Sequence, residues 1–147
     1  MNWKLQGAIA GGAVVLIAVI AYLVVPFGSS SDVSIDTPDD DYRFSRDFLV
    51  RVSGEVPEPD RIWIVTEDEQ GTWRPLEEAT ASPKGGRSAT VRAGKVTSPV
   101  RLCAVRTDTA AADVFHGSTV DNKPTPGAPE LPPGAEELDC TDVEPAR

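Results

Sequence analysis

The chain has 147 residues, a formal net charge of −9, one histidine and two cysteines. Such an acidic surface repels nucleic acid and anionic head groups and favours basic partners, so no nucleic-acid partner is expected. One histidine and two widely separated cysteines lack zinc-site spacing, and no glycine-rich phosphate loop opens a helix, so neither a metal nor a cofactor is expected.

In chain order, residues 7–27 form an apolar run without a charged side chain. An α-helix needs about twenty predominantly apolar residues to cross a hydrocarbon core. We therefore assign a transmembrane helix to 5–27 and a cytoplasmic tail to 1–4, with the bilayer as the first partner. Trp3, Lys4 and Tyr22 fall near its two interfaces, and Pro26 with Gly28 closes it. The competing reading is a cleaved signal peptide. Its apolar part would be only about 7–15 residues, followed by an Ala-x-Ala site that is missing here. The short tail implies a signal anchor, which places a single-pass protein in the plasma membrane with its C-terminal part exported. Gly7, Gly11 and Ala18 share one helix face, where two copies could pack backbone to backbone into a homodimer. The counterweight is that Ala8, Ala10, Gly12 and Ala13 make this half small-sided all round.

Residues 28–41 carry five aspartates between Asp32 and Asp41 and read as a solvated acidic linker. Thr37-Pro38 breaks the spacing a calcium loop would need. A β-domain over 42–117 follows. Phe44, Phe48, Val50 and Val52 alternate with polar residues as one strand from 42 to 53. Residues 61–67 are apolar on both faces and predict a central strand. Polar residues 67–71 form a hairpin connection into a short strand over 72–76, with Pro75 marking its edge or end. Residues 79–86 are assigned to a loop, and strands are expected at 88–93 and 99–106. Asp108 then suits an N-cap for a short helix over 109–116, with Gly117 just past its end. The segment 118–147 begins proline-rich, with five prolines in 122–134 and no core to offer.

The fold class is mainly β: a small antiparallel sandwich with one short helix after the last clear strand. An even cysteine count in an exported domain predicts a Cys103–Cys140 disulfide, which would tie the C-terminal segment back. Val52-Ser53-Gly54, Trp63-Ile64-Val65 and Gly71-Thr72-Trp73 form a strand end, a Trp strand and a Gly-x-Trp hairpin. In these the chain resembles the small immunoglobulin-like ectodomains of actinobacterial single-pass membrane proteins. That resemblance implies no particular activity, and it lacks the disulfide across the two sheets on either side of the Trp strand.

Candidate chemistry is sparse. His116 with Asp113 does not make a triad, and Glu67, Asp68, Glu69, Glu77 and Glu78 are what loops normally carry for solvation. The aromatics are more informative, since Trp63 and Trp73 on adjacent strands would make a ligand platform if both were exposed. The bland alternative places Trp63 in the core. The expected function is a non-catalytic cell-envelope interaction or accessory module binding an envelope protein or glycan. The alternatives are a carbohydrate- or peptidoglycan-binding module and, less favoured, a small acid-pair hydrolase.

Overall fold

The computed structural model describes residues 32–119 and 126–147, which belong to one compact unit spanning Ser31–Arg147. It is mainly β, with one short α-helix. In order, the elements are β1 (Ser34–Thr37), β2 (Tyr42–Phe44), β3 (Phe48–Ser53), β4 (Arg61–Glu67), β5 (Trp73–Ala81), β6 (Arg87–Val91), β7 (Val100–Thr107), α1 (Thr109–Ser118) and β8 (Ala135–Pro145). The predicted membrane span, with Gly7, Gly11 and Ala18, lies outside the described residues. Among those residues no helix is long and apolar enough to cross a membrane.

The eight strands follow the order β1-β3-β6-β5-β4-β7-β8-β2. All pairs are antiparallel except β2 with β8, which is parallel. The ladder divides at β5, whose first residues pair with β4 and whose Thr80 and Ala81 pair with β6. Two apolar clusters result. The larger packs Val50 and Val52 of β3, Ile62 and Ile64 of β4, and Leu102 and Ala104 of β7. Successive side chains of a strand point to opposite faces, so Trp63 and Val65 of β4, with Cys103 and Val105 of β7, form a second cluster on the other side. Phe115 of α1 and Leu131 cover it. This is why β4 is apolar on both faces, as its sequence requires of a central strand.

Several boundaries differ from those the sequence suggests. The single strand over 42–53 is two strands, because the chain leaves β8 at Phe44 and joins β1 and β6 from Phe48 onward. The linker 28–41 does not extend to 41 as a spacer. Val33 is buried, β1 pairs with β3, and the Ile35 N–H donates to Asp139 Oδ2 at 2.7 Å, so the domain begins ahead of residue 42. Nor does it stop at 117. β8 is eleven residues long and pairs with β7 along its length, so the segment 118–147 contributes a strand despite its proline-rich start. Pro75 lies inside β5 rather than at its end. It sits where the register with β4 slips between Ile64 and Val65, a bulge that tolerates a residue without an N–H. Helix α1 has the expected cap, with Asp108 Oδ1 accepting from the Ala111 N–H at 2.8 Å, but Gly117 lies within it and Thr119 ends it.

Gly54 is required by its surroundings. Gly54 closes β3 with φ of +92°, and a Cβ there would stand 2.6 Å from the Asp32 carbonyl oxygen. Gly54→Ala should therefore cost more than about 1 kcal/mol, since both the positive φ and the packed backbone oppose a side chain. A urea-unfolding midpoint equal to wild type would show that the 32–33 backbone yields freely.

Candidate functional site

Trp63 projects from β4 under α1 and is 2% exposed. Its ring packs edge-on against Phe115 and His116, at centroid distances of 5.5 and 4.8 Å. Trp73, at the start of β5, is half-buried at the margin of the same cluster, and its N–H and C=O both pair with Ala128. The two indoles thus share a core and present no open platform. A consequence of the tight packing is that Trp63 Nε1 is buried without a hydrogen-bond partner, the one such side-chain atom among the described residues. An unmet buried donor carries a desolvation penalty, so its position marks where the fold tolerates imperfection.

The same indole lines a cleft of about 480 Å³ between β5, the turn at Ala93–Lys95 and the C-terminal end of α1. Glu78 stands directly opposite Trp63 in the β4–β5 ladder. Its carboxylate accepts from Arg61 at 3.2 Å and lies 3.4 Å from His116 Nε2. Glu77 and Lys95 also line the cleft, and neither has an ion-pair or side-chain hydrogen-bond partner among the described residues. No hydroxyl or thiol is hydrogen-bonded to the His116 imidazole among the described residues. The cleft presents charges of both signs and hydrogen-bonding groups.

A second cleft of about 480 Å³ gathers the carboxylates of Asp41, Glu67, Asp68, Glu69, Asp142 and Glu144 around Arg101. Half of these carboxylates, those of Glu67, Asp68 and Glu144, have an arginine partner. Arg101 reaches Glu67 at 2.9 Å and Glu137 at 2.7 Å, and Arg43 pairs with Glu144. Partial burial pulls the Arg101 pKa down, but Glu137 and Glu67 outweigh it and hold the guanidinium above its ordinary value. Asp68 organises the β4–β5 turn. Its carboxylate accepts from Arg74 at 2.7 Å and from the backbone N–H groups of Thr72 and Gln70, both at 3.0 Å. The Arg74 bond above all, then the Thr72 N–H, lowers its pKa below the usual carboxylate range. A glycosidase general acid needs the opposite shift, so Asp68 is not suited to that role.

The lowered Asp68 pKa fixes a sign. Its contribution to the turn is complete above the unfolded-state value near 4 and is lost as pH falls through the lower folded value. Asp68→Asn should therefore lower the urea midpoint by a constant amount at neutral pH, with the difference shrinking only below about pH 4. A difference that disappears between pH 5 and 7 would contradict the assignment.

Cys103 and Cys140 are joined in a disulfide as directly opposed residues of β7 and β8. The ligand atoms of these two residues and Glu137 lie within 4.8 Å of one another, but bonded sulfurs are not thiolates and do not bind metal. No family model, curated protein or solved structure matches this chain. The grouping of Trp63, Glu78 and His116 has no signature in the sequence, because it depends on the β4–β5 register and on where α1 folds back. The sequence places Glu77 and Glu78 in a loop after a strand ending at 76, whereas β5 runs on to Ala81.

Proposed function

We propose that this is a single-pass plasma-membrane protein whose β-domain lies outside the cytoplasm and serves as a non-catalytic interaction or accessory module of the cell envelope. The observation that carries it is the Cys103–Cys140 disulfide in a domain that follows the uncharged apolar run of 7–27. Disulfides persist in oxidising compartments and are rare in reducing ones, and a signal anchor delivers the domain to the former.

The strand arrangement supports an immunoglobulin-like sandwich. β1, β3, β6 and the end of β5 pair in the way strands A, B, E and D do, and β4, β7 and β8 correspond to C, F and G. The chain departs from that pattern in its disulfide, which joins neighbours within one half. This reading agrees with the resemblance to actinobacterial single-pass ectodomains. Among partners it favours an envelope protein over a glycan, because Trp63 offers no open ring face and Trp73 is only half-exposed. Gly7, Gly11 and Ala18 remain the face on which two anchors would associate, and Gly7→Ile with Gly11→Ile should abolish membrane cross-linking if they do.

The test is fractionation with intact-mass measurement. The full-length chain is expected in the membrane fraction after alkaline carbonate washing, with no thiol alkylated before reduction. A soluble protein that begins near residue 30, or two alkylatable thiols in fresh material, would overturn the proposal.

A further inference from the structure

The Cys103–Cys140 bond has two unlike ends. Cys103 is 0% exposed among Trp63, Val65, Val105 and Phe115, whereas Cys140 is half-buried and lines an open cleft of about 290 Å³ with Asp40, Arg101, Glu137, Asp139 and Asp142. The exposed Glu137 places a carboxylate oxygen within 4.8 Å of both sulfurs. We infer that this bond is a thiol-exchange site open at one sulfur: a small thiol of neutral or positive charge adds to Cys140 Sγ, and Glu137 selects against anionic thiols.

Burial fixes which sulfur reacts. An incoming thiolate forms a bond to Cys140 Sγ as the Cys140–Cys103 bond breaks, the electron pair leaves on Cys103 Sγ, and that thiolate takes a proton from solvent. The thiol is oxidised to one half of a mixed disulfide and Cys103 is reduced to a free thiol, so no further oxidant or reductant is needed. Attack on Cys103 is blocked, since no surface of that residue is exposed. Its apolar surroundings also make it a poor leaving group, which keeps the exchange slow. Charge then chooses among thiols. The cleft is lined by the carboxylates of Asp40, Glu137, Asp139 and Asp142 against one guanidinium, and that Arg101 is already shared between Glu67 and Glu137. One unit charge about 4 Å from another changes a rate about fivefold even at the dielectric of water. The adduct severs the covalent link between β7 and a strand that also holds the start of the domain, where Asp139 accepts from the Ile35 N–H and Thr141 donates to Asp40 Oδ1 at 2.8 Å. The inference stands on the surroundings of the bond and does not require the exported location, so its failure and a failed fractionation are separate results.

The experiment treats the full-length chain in detergent with cysteamine or with glutathione at mildly alkaline pH. Samples are quenched in acid, unfolded and alkylated, and the adduct is mapped by mass spectrometry. Each rate is divided by the same thiol's rate with oxidised mercaptoethanol, which removes differences in thiolate fraction and nucleophilicity. The first adduct is expected on Cys140 with Cys103 alkylated, and the normalised rates should favour cysteamine over glutathione by about tenfold or more. Glu137→Gln should narrow that preference about fivefold. A merely structural loosening of β8 in the variant would speed both thiols alike and leave their ratio unchanged. A first adduct on Cys103, no adduct on either cysteine, equal normalised rates for the two thiols, or the wild-type ratio in Glu137→Gln would each overturn the proposal, and the first three are read on the wild-type chain.

Discussion

Trp63→Ala is expected to destabilise the domain by about 3–5 kcal/mol, the usual cost of emptying a buried aromatic site. The residue is 2% exposed and lies at the centre of the cluster built from Val65, Cys103, Val105 and Phe115, so its loss leaves a cavity under α1 that the ladder cannot collapse to fill. Trp63→Phe should cost less than its lost volume suggests, because it also removes the indole N–H that has no acceptor. Urea unfolding of the two variants measures both effects. A loss below about 1 kcal/mol for the alanine variant would mean that this second cluster contributes little and that the larger one carries the fold.

Loss of the disulfide is the second large effect. Cys103 and Cys140 close a loop with a sequence separation of 37, for which the chain-entropy estimate is about 4 kcal/mol. Replacing both with alanine should lower the unfolding free energy by about 2–4 kcal/mol, and amide exchange should rise first along β8. The location follows from composition. β8 buries only Thr141 and Val143 among its eleven residues, so without the bond it is held mainly by its backbone ladders to β7 and β2. An unchanged midpoint in the double variant would show those ladders to be sufficient.

Much of the central architecture is legible locally. The span of β4, the Asp108 cap and the short helix after β7 follow from apolar runs on both faces, an N-cap residue and a block of alanines. The cysteine pairing follows from an even count. These are properties of a few neighbouring residues, and periodicity or capping chemistry reports them directly.

The remainder was decided by partners distant in sequence. Phe44 and Phe48 keep the same alternation across the crossover at 45–47, so nothing in the pattern reveals that they pair with different strands. β1 is hidden in an aspartate-rich stretch, yet Val33 is buried and Asp139, over a hundred residues away, accepts the Ile35 N–H. β8 alternates poorly because its stability comes from β7 and the disulfide rather than from a buried face of its own. The cleft shows the same limit, since Glu78 and His116 meet Trp63 only through strand register and the return of α1. Side-chain period in a strand reports which faces are buried, whereas pairing and the sites it assembles depend on backbone hydrogen bonds that any sequence can make and only the tertiary structure assigns.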